Sequence, residues 1–177
     1  MQFPTTIETE RLILRPWCES DAAACYRYAS DPRIGPMCGW KVHESEAESR
    51  EIIRTILSAE MTYAVTLKGE DEVIGSISFQ PCTHPDTIGH MELGYWLGVP
   101  YWGDGIIPEA GAAMLRTAFD LGATEIWVRH NAVNHQSRRV IHKLGFTFRF
   151  AETERDGETE KEVWYYSILL EDFQSGT

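Results

Sequence analysis

No apolar run in the 177-residue chain approaches the ~18 uninterrupted residues that a membrane-crossing helix needs. The opening Met1-Gln2-Phe3-Pro4-Thr5-Thr6 has neither the basic start nor the apolar stretch of a secretory leader. The expectation is a cytoplasmic protein with no membrane partner. Cysteine is scarce: Cys18, Cys25, Cys38 and Cys82 include no C-x-x-C and no closely spaced pair, which argues against a disulfide framework or a zinc ribbon. They read as reduced core thiols. Basic charge is also in short supply, with 16 Lys+Arg against 27 Asp+Glu for a net charge of −11. A protein that coats phosphate backbones needs the opposite balance, so nucleic acid is not an expected partner. The six histidines form no H-E-x-x-H and no ligand cluster, so no metal is expected. The absence of G-x-S-x-G removes the serine-hydrolase elbow.

What is present suffices for a folded core. The chain is 43% hydrophobic and 11% aromatic, too apolar for disorder, and its length suits one domain, 1–177, with the informative motifs in about 7–170. Charge is unevenly spread: residues 101–150 carry a net +2, whereas 1–50, 51–100 and 151–177 carry −2, −5 and −6.

Ile7 to Arg15 reads as a strand stopped by Pro16, and 21–30 as a short helix with Ala24, Cys25, Tyr28 and Ala29 inward. Asp31 to Trp40 reads as a Pro/Gly loop. Ser45 and Glu48 form a capping box that starts a helix running to about Ser58. Thr62 to Leu67 and Val73 to Phe79 read as a hairpin, Gly89 to Val99 as a further strand ended by Pro100. A helix follows Gly105, with Pro108 in its first turn and Gly122 just past its end. Glu125 to Arg129 is a short strand. Asn134 caps a helix ending at Gly145, and Phe146 to Glu154 with Glu162 to Leu170 form a last hairpin turning at Asp156-Gly157. The pattern describes one α/β domain with a mixed sheet and about four helices.

The segment Tyr101-Trp102-Gly103-Asp104-Gly105-Ile106-Ile107-Pro108-Glu109 carries the chemistry. Two glycines one residue apart allow close backbone approach, and the following helix start supplies unpaired N–H groups for phosphate. It is not a P-loop, since no Lys follows Gly111, and Pro108 stands where a dinucleotide fingerprint has its third glycine. A plain glycine turn before a helix remains the alternative at this point.

The segment resembles the acetyl-coenzyme A pyrophosphate loop, [Q/R]-x-x-G-x-[G/A], of the GCN5-related N-acetyltransferases (GNAT). Thr9-Glu10-Arg11-Leu12-Ile13-Leu14-Arg15 is similar to the first strand of the branch containing the ribosomal-protein alanine N-acetyltransferases. Glu92-Leu93-Gly94-Tyr95-Trp96-Leu97 resembles its fourth strand. Asn131-Ala132-Val133-Asn134-His135-Gln136-Ser137 and Lys143-Leu144-Gly145-Phe146 resemble its coenzyme-contacting helix. Two positions depart from the pattern: Trp102 replaces the glutamine or arginine, and Asp104 puts an anion in a phosphate loop.

The resemblance implies a mostly antiparallel, twisted mixed sheet splayed between the fourth and fifth strands, with Gly94 at a bulge. It implies acetyl-coenzyme A as cosubstrate, bound by Leu93, Tyr95, Trp96 and Leu97 along the strand. Trp102, Gly103, Asp104, Gly105, Ile106 and Ile107 would hold it in the loop, and Asn134, Ser137 and Arg139 on the helix. Ser137 would protonate the departing thiolate, and Glu92, with His90 as second candidate, would deprotonate the amine. The acceptor is a protein N-terminal amine or a small amine, entering between the loop Arg33 to His43, with Trp40, and the last hairpin. Glu152, Glu154, Asp156, Glu158 and Glu160 there suggest an acidic lip. The protein would act as a monomer or homodimer. A non-catalytic coenzyme A sensor with the same fold is the alternative.

Overall fold

The computed structural model describes residues 2–156 and 159–175. In chain order the elements are β1 (Ile7–Glu8), β2 (Leu12–Arg15), α1 (Ala22–Ala29), α2 (Gly35–Cys38) and α3 (Glu46–Ile52). Next come β3 (Thr62–Leu67), β4 (Val73–Pro81), β5 (Met91–Leu97), α4 (Ile106–Asp120), β6 (Glu125–Asn131), α5 (His135–Lys143), β7 (Thr147–Asp156), β8 (Thr159–Leu169) and α6 (Leu170–Ser175). The strands form one sheet in the order β1-β2-β3-β4-β5-β6-β8-β7. Every neighbouring pair is antiparallel except β5 and β6.

Alternation within the strands creates two buried faces. On one side Leu12, Leu14, Tyr63, Val65, Ile77, Leu93 and Leu97 pack against Ile107, Ala110, Met114 and Ala118 of α4. On the other, Ala64 and Trp96 meet Cys25 and Ala29 of α1 and Ile53, just past α3. The sheet is sandwiched between helical layers, and its open seam passes through the middle. Gly75 makes the β4–β5 contact possible, because a Cβ there would meet the Trp96 carbonyl oxygen at 2.5 Å.

Several sequence expectations are corrected. Ile7 to Arg15 is a tight hairpin rather than one strand: Thr9 N donates to Leu12 O (3.0 Å) and its hydroxyl accepts from Leu12 N (3.0 Å). Because of that extra strand the family's fourth and fifth strands are β5 and β6 here. The Asp31–Trp40 loop contains the one-turn α2, and the helix begun at Ser45 finishes as a π-helical turn, Ile53–Leu57. Among the described residues six helices replace about four, α6 closing against Phe119 through Phe173 (5.1 Å between rings). Gly94 lies in a continuous β4–β5 register, and the register shifts fall instead at Val65/Thr66 between β3 and β4 and at Phe148/Phe150 between β7 and β8. Of the expected last turn, Gly157 lies outside the described residues.

Candidate active site

The seam is a consequence of strand pairing. Cys82 N donates to His90 O (3.0 Å) and Gly98 N to Ile74 O (2.7 Å), so the even-numbered residues between them direct their main-chain groups at β4. In an antiparallel ladder these directions alternate, which turns Leu93, Tyr95 and Leu97 toward β6. Yet β5 and β6 pair only at Met91↔Ile126 and Glu92↔Trp127, then diverge. Beyond Glu92 the odd-numbered groups face a gap. The Leu97 carbonyl accepts from Trp102 Nε1 (2.8 Å), and the Cys38 thiol on α2 lies 3.8 Å from the Tyr95 carbonyl.

The gap opens into a cavity of about 1920 Å³ lined by both helical layers. At one end stand Gly103 and Gly105, with φ of 91° and 76°, left-handed values that favour glycine. Gly105 is the N-cap of α4, and the N–H groups of Gly105, Ile106 and Ile107 have no hydrogen-bond partner among the described residues. These donors, with the α4 dipole, suit a pyrophosphate. The loop is braced from behind. Arg11 donates from Nη1 to the Asp104 carbonyl (3.0 Å) and from Nε to Glu109 (2.6 Å), whose other oxygen accepts from Thr9 Oγ1 and Arg11 N. Burial acts to raise the Glu109 carboxyl, but Thr9 and Arg11 outweigh it and hold it below its ordinary value. The Asp104 side chain is exposed, and its residue is not among those lining the cavity.

On the α4 side of the gap, Asn134 caps α5 by accepting from Ser137 N (3.1 Å). Ser137 Oγ then lies 2.7 Å from the Tyr95 hydroxyl. Burial, opposed by the Ser137 bond, raises the Tyr95 pKa and keeps the phenol protonated. Arg139 and Lys143 line the same end of the cavity. Ser137 and Tyr95 therefore form a hydroxyl pair at the gap; the sequence reading placed Tyr95 in the coenzyme strand but gave its hydroxyl no part.

The opposite side carries different chemistry. Glu92, Gly94 and Trp96 point there. Glu92 is buried and accepts from Arg129 Nε (3.2 Å) and Gln80 Nε2 (3.3 Å). Arg129 Nη1 also donates to Glu154 (2.7 Å), which accepts from the Tyr165 hydroxyl at 2.7 Å. Burial works against the Arg129 charge, but Glu92 and Glu154 prevail and its pKa is raised. Trp96 sits apart from the other strand residues assigned to coenzyme: its main chain pairs with Ser76, and its ring meets Trp17 and Trp40, each 6.1 Å away. His90 is outside the cavity lining, 3.6 Å from Glu125. Part of the acidic lip is paired: Glu152 hydrogen-bonds His84 (3.0 Å), Glu160 pairs with Arg155 (2.8 Å), and Glu154, bound to Arg129, lines the cavity with Arg155 and Lys161. Glu158 lies outside the described residues. No metal-binding cluster of His, Cys, Asp and Glu occurs among the described residues, and no helix among them is long and apolar enough to cross a membrane.

Residues 11–147 match the acetyltransferase (GNAT) domain family. The chain belongs to the GNAT acetyltransferases. It is 29% identical over 178 residues to the uncharacterized N-acetyltransferase p20 of Bacillus licheniformis, covering 95% of this chain and 98% of that relative. A GNAT-family acetyltransferase of Bacillus anthracis superposes with a TM-score of 0.83 at 25% identity, covering 94% of this chain and 99% of the other. RimJ of Mycobacterium smegmatis, solved in complex with CoA-disulfide, superposes with a TM-score of 0.78 at 26% identity, covering 97% and 91%. The splayed β5–β6 seam is thus the core of a GNAT acyltransferase.

Proposed function

We propose that this GNAT protein transfers an acetyl group from acetyl-coenzyme A directly to a primary amine, a peptide N-terminus or else a small amine. What supports the reading is the path from the seam edge of β5, past its last pairing with β6 at Glu92↔Trp127, to the N–H groups at the α4 N-terminus that have no partner among the described residues. The cosubstrate supplies an activated acyl thioester. Along that path the strand edge receives the pantetheine arm as a further strand would, and the loop Gly103–Ile107 receives the pyrophosphate, with Asn134, Arg139 and Trp102 alongside.

A strand N–H stabilises the oxyanion that develops as the amine nitrogen bonds the acyl carbon. Glu92 faces the acceptor and takes the ammonium proton directly or through a water, since only a neutral amine attacks. As the carbon–sulfur bond breaks, Ser137 Oγ delivers a proton to the sulfur, its own proton replaced through the Tyr95 hydroxyl. No covalent enzyme intermediate is needed, and the barrier falls chiefly through positioning. Calorimetry with acetyl-coenzyme A, followed by free-thiol release across a panel of amines and peptides, tests the proposal. Binding plus amine-dependent thiol release supports it, and absence of acetyl-coenzyme A binding overturns it. Binding with no thiol release from any amine favours the coenzyme A sensor.

A further inference from the structure

His43 is a histidine that the mechanism above does not use, and it is held from two helices. Its backbone N–H donates to Ala29 O at the end of α1 (3.1 Å), and its Nδ1 lies 2.8 Å from Ser49 Oγ on α3 and 3.9 Å from Cys25 Sγ on α1. Ser49 is fully buried and His43 nearly so, at 7% exposure. Burial pushes the Cys25 thiol up to about 12 and so keeps it protonated. Trp40 packs beside the ring, at 5.3 Å between centroids.

Every polar contact of this ring is made by Nδ1. Nε2 has no hydrogen-bond partner among the described residues, yet it is not sealed in the core: the buried side-chain nitrogen left unpartnered among them is Trp127 Nε1. His43 lines the same cavity as Glu92, on the face where Trp40 and Trp96 form an edge-to-face aromatic wall. A fixed imidazole nitrogen open to an aromatic cavity recognises a donor. The groups acting on it are few. Burial lowers its pKa, the Glu48 carboxylate on α3 opposes this, and Cys25 and Ser49 are neutral. His43 is therefore uncharged at neutral pH.

We propose that His43 is a binding residue for the acceptor, its Nε2 accepting a hydrogen bond from a second N–H of an amine whose flat apolar body lies against Trp40 and Trp96. The substrate class is an amine on an aromatic or apolar body bearing an adjacent amide N–H, as at the start of a peptide with an apolar first residue. The proposal rests on the acetyl-transfer reading, because it uses that reading's acceptor half of the cavity.

The test uses full-length protein saturated with coenzyme A and three amines: phenylalaninamide, phenylalanine methyl ester, which lacks the amide N–H, and n-butylamine, which lacks the ring as well. Calorimetry should show phenylalaninamide binding at least tenfold more tightly than either of the others. His43→Phe should abolish the difference and His43→Gln retain part of it, with melting temperatures measured for both. With isotope-labelled histidine, the Nε2 resonance of His43 should shift on adding phenylalaninamide and not on adding the ester. As pH drops through the His43 titration the acceptor affinity should fall more steeply in wild type than in His43→Gln, the titration of the acceptor's own α-amine being common to both. Equal binding of amide and ester, no measurable binding of any of the three, or an unmoved Nε2 resonance would overturn the proposal. Failure of the acetyl-transfer reading appears separately, as loss of acetyl-coenzyme A binding.

Discussion

The Tyr95 hydroxyl lies 2.7 Å from Ser137 Oγ, tying the strand that edges the seam to the first turn of the helix that closes it. Two hydroxyls at this distance share one hydrogen and can pass a proton along without either becoming ionised for long. The buried phenol stays protonated well above neutral pH, so it serves as a donor rather than a phenolate.

Removing the hydroxyl proposed to protonate the sulfur should therefore cost turnover and not binding. Ser137→Ala is expected to lower kcat about 10²-fold, the low end for a general acid, with acetyl-coenzyme A affinity changed less than about twofold. Tyr95→Phe should lower kcat less, because Ser137 can still exchange with solvent. Stopped thiol-release kinetics beside calorimetry separates the two quantities.

The loop at the α4 N-terminus should respond to a single methyl group. No atom lies within 4 Å of a Cβ built on Gly103, so Gly103→Ala meets only the strain of its 91° φ. That strain is about 1–2 kcal/mol, and relief by a local shift would misalign the donors behind it. A roughly tenfold loss of acetyl-coenzyme A affinity should follow, with little change in acceptor KM.

Glu109 links stability to pH. Its folded-state carboxyl lies below the ordinary value, so its contribution is present above the unfolded-state value and is lost as pH falls through the folded one. Glu109→Gln should cost about 1–2 kcal/mol at pH 7 through the weakened bonds to Thr9 and Arg11. The gap between wild type and variant should close progressively below about pH 4.5. Urea unfolding at stepped pH measures this.

Arg129 joins Glu92 and Glu154 across the seam, and its side chain keeps 33% exposure. Arg129→Met leaves two carboxylates facing each other in the cavity and should destabilise by about 1–3 kcal/mol, discounted from the fully buried case. Adding Glu92→Gln should recover part of that loss. Denaturation of the two single variants and the double variant gives the coupling.

Local signals identified most of the elements because each rests on contacts near in sequence. Ser45 caps α3, accepting from Glu48 N at 3.1 Å, and Asn134 caps α5 as its spacing predicts. Gly103 and Gly105 needed positive φ for the loop to turn into α4. Elements of one turn or fewer were not legible: α2 has no side-chain N-cap and no room for periodicity, and the Thr9 turn is held by Glu109, 100 residues away. Within the site, Ser137 was visible as part of a helix motif, whereas its partner Tyr95 lies 42 residues earlier. His43, Ser49 and Cys25 come from three separate segments and share no pattern.

The sequence by itself determined the class of fold, the glycine loop leading into α4, and the cap of α5, because periodicity, glycine conformational freedom and capping are short-range physics. It also determined that residues 101–150 are the net-basic stretch of an acidic chain. Only the tertiary structure decided where β5 parts from β6, that Asp104 is exposed, that Trp96 packs against Trp17 and Trp40, and that Glu92 shares Arg129 with Glu154. Those outcomes depend on strand register and on which side chains distant segments bring to one face. Pairing across a sheet is a long-range choice that no single stretch of chain encodes.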